Sequence, residues 1–299
     1  MHDVTHAPRL SIPSPTLLAA YTHVRRDAFL LVTGWERAGA HEFTLDVRWP
    51  AVHLDQLYDP RLLAQTIRQS GLTVVHAEYQ VPLTHQTMLE TLDFTVSPDF
   101  RAPRGRPFAL EVRVTVSKPT GSRRTARSLR MDIHILRDGV TAARADTEFG
   151  WISPAVYQRV RGARHAVDWG VWPLPAPVPA ELVGRSRAAD VVLAAGDAPH
   201  RWLLRNDIGN HLLFDHPVDH VPGLALLEAA DQAARALEPR TPFVTTGVST
   251  VYSRYVEFDQ PCWIEARRLP SGPDRRTVRV TGTQGGERAF QVELSGIER

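Results

Sequence analysis

Cysteine, signal-like segments and membrane-spanning runs are scarce or missing in this sequence. Cys262 is the single cysteine of the 299 residues, which excludes an intrachain disulfide and a cysteine-based metal centre. The N-terminal stretch MHDVTHAPRLSIPSP lacks the apolar core that signal peptides carry. No apolar run is long enough to span a bilayer. We therefore expect a cytoplasmic protein that has no membrane partner.

An excess of charge of one sign is also missing. The 35 Lys and Arg residues outnumber the 33 Asp and Glu residues by a net +2, which is too little to coat nucleic acid. Lys118 is the only lysine, so the other 34 basic residues are arginines. Any anion site should therefore use guanidinium groups, which bind phosphate and carboxylate in a forked geometry. The content of 43% hydrophobic and 23% charged residues is that of an ordinary globular protein.

Repeated proline divides the chain. The stretch VWPLPAPVP, residues 171–179, has proline at every second position from 173 onwards, which removes backbone donors and favours an extended linker. On either side, β-rich runs surround one helical stretch. We predict an N-terminal domain over residues 1–170, a proline-rich linker over 171–185 and a C-terminal domain over 186–299.

The order of elements on the two sides predicts an internal repeat, since each side has strands, one helix and then several more strands. A fixed offset that places His53 on His216 also places Leu63 on Leu226, Gln65 on Glu228 and Gln69 on Gln232. A single helix must bury its apolar stripe against its own sheet. We therefore predict an α+β fold, a tandem (double) hotdog in which each unit is a curved antiparallel sheet wrapped around one central helix.

The two central helices differ in how clearly the sequence marks them. In the first half, LLAQTIRQSG has helical spacing and is predicted to end at Gly71, because glycine commonly follows a helix C-terminus. The second helix is predicted over Gly223 to Leu237, with leucines on one side and small alanines on another. Glu228 lies among these apolar residues, where a carboxylate needs a partner or a function.

Polar chemistry is concentrated between Asn210 and Ala234. Within it, residues 211–228 hold three histidines, two aspartates and one glutamate: His211, His216, His220, Asp215, Asp219 and Glu228. Metal sites need a convergent ligand set that is oriented by supporting hydrogen bonds. We expect neither a metal nor another cofactor here.

Part of the same stretch resembles the active-site segment of β-hydroxyacyl-carrier-protein dehydratases. The shared features are HPV, the PG that follows, Glu228 five residues later and Gln232 four residues beyond that. In those dehydratases the catalytic histidine precedes the HP pair. The resemblance implies that His211 is the nearest counterpart in this chain.

A closer resemblance is to the A-factor (γ-butyrolactone) synthase family. The runs DPRLLAQTIRQSGLTVVHAEYQVP and LFDHPVDHVPGLALLEAADQAA are similar to two runs of that family, in the same order and spacing. The resemblance covers nearly the whole chain. One departure is Asp231, which stands where the family helix commonly has the arginine of E-A-A-R-Q.

The resemblance implies an acyltransferase that needs no cofactor. A β-ketoacyl group would move from an acyl carrier protein or another acyl thioester to a hydroxyl of dihydroxyacetone phosphate, in the biosynthesis of a γ-butyrolactone, butenolide or furan signalling molecule. Glu228 on an apolar helix face would have a raised pKa and suit the general base. The helix start at Pro222 and Gly223 would offer free N–H groups to a developing oxyanion.

Further catalytic candidates come from the repeat and from the first family-like run. His216 and its repeat counterpart His53 are expected to be catalytic or to contact substrate, with loop stabilisation as the alternative. Glu78 is a candidate second acid or base, with a solvated strand-edge charge as the alternative. Because Gln65 stands where the second helix has Glu228, and an amide cannot act as a base, the two sites of the tandem fold should be unequal.

Substrate-binding candidates follow from the acceptor's phosphate. Arg68 and Arg254 are predicted to bind it, and the pair at residues 25–26 is a further possibility. Asp219, His211 and Gly223 are predicted substrate contacts, and capping of the loop is the alternative role of Asp219.

Two other functions stay open from the sequence. One is dehydration of a β-hydroxyacyl thioester, and the other is non-catalytic binding of acyl chains or butyrolactones. Either a monomer with pseudo-dimeric halves or a homodimer is compatible with the repeat.

Overall fold

The computed structural model describes residues 14–52, 57–117, 127–237, 243–272 and 275–298. The first half contains α1 (Pro15–Thr22), β1 (Val32–Arg37), β2 (Glu42–Trp49), α2 (Pro60–Thr73), β3 (Gln86–Val96), β4 (Phe108–Val116), β5 (Ser128–Arg137) and β6 (Val140–Ile152). After α3 (Pro154–Arg161), the second half contains β7 (Leu193–Ala195), β8 (Arg201–Leu204), α4 (Gly223–Leu237), β9 (Phe243–Tyr252), β10 (Cys262–Leu269), β11 (Arg276–Gln284) and β12 (Glu287–Glu298).

These strands form one continuous antiparallel sheet in the order β1-β2-β4-β5-β6-β3-β9-β12-β11-β10-β8-β7. Read inwards from either edge, the two halves have the same strand order. They meet at β3 and β9, where Phe94 pairs with Val248 and Thr95 with Gly247. Each half has one long helix, α2 or α4, packed against its own strands. The predicted tandem hotdog is confirmed. The predicted domain limits stay predictions.

A glutamine bonds the central helix to the chain just before the first strand in both halves. Its side-chain amide accepts a hydrogen bond from one backbone N–H and donates one to a backbone carbonyl. The partners are Leu31 and Phe29 for Gln69, and Val192 and Asp190 for Gln232. The repeat seen in the sequence therefore extends to equivalent side-chain contacts.

The start of α2 follows the sequence signals, but its end does not. Asp59 caps the helix by accepting from the Arg61 N–H at 2.9 Å, and Pro60 occupies the first turn. The predicted end at Gly71 is wrong, since α2 runs to Thr73 and continues as a π-helical turn over Val74–Glu78. Gly71 instead provides space, because a Cβ there would overlap the buried ring of Phe149 on β6.

The proline-rich stretch lies along the edge of β7. Its Val178 N–H donates to the Leu193 carbonyl at 3.0 Å. The Trp172 ring stacks on Phe258 at 4.4 Å. The stretch therefore packs against the second half while Leu174 stays exposed. Among the described residues, no helix is long and apolar enough to cross a membrane.

Candidate active site

The loop before α4 forms one wall of a cavity of about 590 Å³. The other walls come from the segment after α1, from α2, from the start of β3, from α3 and from the chain that follows β9. The site is therefore built from both halves. Its apolar lining includes Met88, Leu89, Leu212 and Val256, which together could hold an acyl chain.

One end of the cavity is cationic. The Arg68 Nη1 donates to the Thr22 carbonyl at 3.2 Å, and Arg68 has no ion pair within the described part of the chain. Burial lowers the pKa of Arg68 to about 10, against the raising effect of Asp215, so the guanidinium is still charged near neutral pH. Burial, aided by His76, Arg68 and His216, lowers the pKa of His23 to about 3. An anion entering this end would meet a guanidinium that makes no ion pair within the described residues.

Asp215 holds His216 and also joins the two halves. Its carboxylate accepts from the backbone N–H groups of Arg25 at 2.6 Å and Arg26 at 3.1 Å. His216 Nδ1 lies 3.2 Å from the same carboxylate. His216 lines the same cavity as Arg68, and its role as a site residue stays a prediction.

A second aspartate–histidine pair follows four residues later. His220 Nδ1 lies 2.7 Å from Asp219 Oδ1, and the Tyr157 hydroxyl donates to both oxygens of Asp219. Arg161 donates to Asp219 Oδ2 at 2.9 Å and forms a two-point ion pair with buried Glu257. Asp219 thus orients its neighbour, and both it and His220 line the cavity.

The expectation that Glu228 is a free general base needs correction. Its carboxylate accepts from Arg185 Nε and Nη2, both at 2.7 Å, and from Gln232 at 2.6 Å. The side chains of Arg185 and Glu228 are 0% and 1% exposed. Glu228 borders a separate void of only about 10 Å³ beneath Leu212 and Leu224. Glu228 does not line the large cavity.

Asp231, the departure from the family helix, belongs to the same buried network. It accepts from Arg185 at 3.0 Å, from Arg235 at 2.8 Å and from the Thr245 hydroxyl at 2.6 Å. Burial opposes ionisation of Asp231, but Arg235 and Arg185 outweigh it and hold its pKa below the usual range. Two arginines therefore balance two carboxylates inside the second half.

The remaining candidates separate into those in the cavity and those away from it. Gly223 and Arg254 line it, although Arg254 forms an ion pair with Glu287. His211 does not line it. Glu78 accepts from Trp35 Nε1 at 2.9 Å and from Arg37, and it too is outside the cavity. His53 lies outside the described residues.

Gln65 separates the large cavity from the small void. It lines both and donates to the Leu212 carbonyl at 3.3 Å. The expected inequality of the two halves has a direct counterpart here, since Gln65 occupies the repeat position of ion-paired Glu228.

Sequence reasoning missed several residues that shape this region. The doublet Asp-His occurs at 215–216 and again at 219–220, and this repetition could have drawn attention to His220. Tyr157 and Arg161 had no comparable signal, because they reach Asp219 from 58 or more positions away in the chain. Arg185 was missed for the same reason.

Comparisons with known proteins agree with this architecture. The model of the A-factor biosynthesis hotdog domain matches residues 14–153 and 170–295. A Streptomyces virginiae protein named 2-oxo-3-(phosphooxy)propyl 3-oxoalkanoate synthase is 40% identical over 269 residues, covering 88% of this chain and 91% of that protein. A Streptomyces coelicolor protein of the same name is 38% identical and covers 98% and 95%.

Solved structures give the same fold at low sequence identity. A putative oleoyl thioesterase from Lactobacillus plantarum aligns with a TM-score of 0.55 and 14% identity, covering 88% of this chain and 99% of that one. The 12:0-ACP thioesterase from Umbellularia californica aligns with a TM-score of 0.54 and 11% identity, covering 88% and 100%. At these identities the likeness shows the fold alone.

Proposed function

This chain belongs to the A-factor biosynthesis hotdog family, and from that membership we propose that it transfers a 3-oxoacyl group from a thioester to a hydroxyl of dihydroxyacetone phosphate. The name shared by its relatives describes the ester that this reaction forms. The 2-oxo-3-(phosphooxy)propyl part is the acceptor skeleton, and the 3-oxoalkanoate part is the acyl group. The donor is proposed to be an acyl carrier protein or a related thioester.

The observation that carries this proposal is the uncompensated Arg68 at the cationic end of a cavity with apolar walls. A phosphate beside Arg68 would gain a charge-assisted hydrogen bond from a guanidinium that lacks a carboxylate partner. His216, which like Arg68 lowers the pKa of His23, lines the same cavity and would add a further donor. The nearby carboxylate of Asp215 accepts hydrogen bonds from two backbone N–H groups. It therefore repels a bound phosphate less than a carboxylate without hydrogen bonds would.

The reacting carbonyl is proposed to lie at the start of α4. Gly223 and Leu224 line the cavity there, and the first N–H groups of a helix have no partner inside it. Such donors stabilise the oxyanion that forms when a hydroxyl attacks a thioester carbonyl. The acyl chain would then extend along the apolar lining.

Steady-state kinetics of Arg68→Gln test the acceptor site. We expect the KM for dihydroxyacetone phosphate to rise about 10- to 100-fold, the range of a lost charge-assisted contact, with little change in the KM for a 3-oxoacyl thioester. Arg113→Gln is the matched control, because Arg113 is exposed on β4 and, among the described residues, forms its ion pair with Glu111. Equal weakening of both substrates, or identical behaviour of the two variants, would reject Arg68 as the phosphate site.

Assays of the wild-type protein with different substrates distinguish the proposed acyl transfer from dehydration and from simple binding. Product should appear only when both the thioester and the acceptor are present. Conversion of a 3-hydroxyacyl thioester alone would instead show dehydration, and unchanged ligand after long incubation would show simple binding.

A further inference from the structure

Of the two cavity histidines that contact a neighbouring aspartate, His220 has the shorter contact and is the better placed for proton transfer. Its Nδ1 lies 2.7 Å from Asp219. Its Nε2 makes no hydrogen bond within the described part of the chain. A carboxylate that is ionised can only accept, so Nδ1 carries a proton, and Nε2 presents a lone pair when the ring is neutral. A histidine oriented in this way by a carboxylate is the arrangement used for general-base catalysis.

The carboxylate that orients His220 is fixed by buried groups. Burial opposes ionisation of Asp219, but hydrogen bonds from His220, Tyr157 and Arg161 outweigh it and hold the pKa of Asp219 below its usual range. Burial, with the hydrogen bond to Asp219, raises the pKa of Tyr157, so its hydroxyl keeps its proton. The Arg161 side chain is only 3% exposed and is itself held by Glu257.

The other pair in the cavity is less suited to the same task. His216 Nδ1 is 3.2 Å from Asp215, a longer contact than that of His220. The Asp215 carboxylate is shared with two backbone N–H groups of the first half. His216 and Arg68 both lower the pKa of His23, so His216 lies in the part of the cavity that suits contact with an anion better than abstraction of a proton.

We propose that His220 is the catalytic base of the acyl transfer, with Asp219, Tyr157 and Arg161 as its positioning residues. This assignment rests on the proposed function and divides the cavity into a phosphate end at Arg68 and a proton-transfer centre at His220. The Tyr255 ring, 4.5 Å from the imidazole and covered on one face by Arg161, limits the motion of His220.

The proton balance of the reaction follows directly. His220 Nε2 takes the proton of the acceptor hydroxyl while the oxygen forms a bond to the thioester carbonyl carbon. When the tetrahedral intermediate collapses, the C–S bond breaks and its electron pair leaves on sulfur. The thiolate then takes the proton from Nε2, which returns His220 to its starting form. No further reactant is needed.

Chemical rescue tests this role. In His220→Ala, we expect kcat to fall about 10²- to 10⁴-fold, the usual contribution of a general base, with the acceptor KM nearly unchanged. Added imidazole should restore turnover in proportion to its concentration, because the cavity is large enough to admit it. His216→Ala should instead raise the acceptor KM and not respond to imidazole. His134→Ala, on β5 outside the cavity, is the control for loss of a histidine.

Two further variants guard against a merely structural effect. His220→Asn keeps a donor toward Asp219 and should show the same loss of kcat in a folded protein. Tyr157→Phe removes only one hydroxyl and should lower kcat about tenfold, in line with one lost hydrogen bond of about 1.4 kcal/mol, without a change in KM. Wild-type turnover in His220→Asn, or an unrescued loss in folded His220→Ala, would overturn the assignment. Failure of the wild-type protein to form the ester would instead reject the proposed function.

Discussion

His23 illustrates how single residues can be kept in an unusual charge state. Burial is the main cause of its low pKa, and nearby His76, Arg68 and His216 add to it. Nothing in the sequence singled out His23, which directly follows α1 in the structure. Its environment depends on α2 and on the loop before α4, which are distant in the chain, so local pattern could not reveal it.

The free energy of unfolding should depend on His23 between pH 6.5 and pH 3. The pKa of about 3 in the folded state lies below the ordinary value of 6.5. The unfolded chain therefore binds a proton in this window that the folded chain does not bind. The contribution of His23 to the free energy of unfolding is fully present above pH 6.5. It falls as the pH drops towards 3, by up to about 1.4 kcal/mol per pH unit.

Urea unfolding of the wild type and of His23→Gln at pH 7.5, 6.0 and 5.0 checks this dependence. The free energy of unfolding should decline less steeply with falling pH in the variant than in the wild type. Burial also lowers the pKa of His76, and this contribution is common to both proteins. Parallel declines would show that His23 is accessible to protons in the folded state.

Glu228 shows why a buried charge cannot be assigned from its helix alone. The sequence correctly marked it as a carboxylate that needs an explanation. Its partner Arg185 lies 43 positions earlier in the chain, within a stretch that has no motif. The choice between a catalytic and a structural role therefore required the tertiary structure.

Glu228→Gln should destabilise the protein by about 3 kcal/mol, because one charge of a buried pair is removed while Arg185 stays. Glu265→Gln is the control and should change stability by less than about 1 kcal/mol, since Glu265 forms an exposed pair with Arg201. Chemical denaturation measures both. Transfer per folded molecule should survive in Glu228→Gln, so a stable but inactive variant would restore Glu228 as the base.

At the scale of elements, the local residues at the start of α2 agree with the structure, but the end of α2 that the sequence predicted does not. Asp59 and Pro60 at the start of α2 are local helix-start residues, which a sequence shows directly. Gly71 was misread as an end because its role depends on Phe149, which arrives from a distant strand. The alternating burial of strands such as β4 and β11 is likewise local, and the sequence predicted those strands.

Gly71→Ala should therefore destabilise the first half. Alanine favours a helix by about 1 kcal/mol over glycine, but the added Cβ would overlap the fully buried Phe149 ring. We expect a net loss of about 1–3 kcal/mol, typical of overpacking. Gly272→Ala is the control, because a Cβ there meets nothing within 4 Å. Thermal unfolding would contradict this explanation if Gly71→Ala melted at or above the wild-type temperature.

At the scale of the whole molecule, duplication was visible because helices and strands recur in the same order, and the sheet order confirms it. What could not be foreseen is how the halves share contacts. The Tyr58 hydroxyl donates to the Thr245 carbonyl at 2.7 Å, and Arg61 pairs with Asp190 at 3.1 Å. The cavity also combines Arg68 of one half with His220 of the other. Neither half alone contains the proposed site.

A chain cut after Leu174 should therefore stay assembled. Leu174 is exposed, and the cut breaks no contact between β3 and β9. Co-expressed pieces 1–174 and 175–299 are expected to co-purify and to retain transfer activity, while each piece alone loses the partner for its joining strand and fails to fold stably. In the cut protein, Tyr58→Phe should promote dissociation because it removes a buried hydrogen bond between the halves. Size-exclusion chromatography distinguishes the outcomes, and two separately folded pieces would mean that the pairing of β3 with β9 is not needed for the stability of either half.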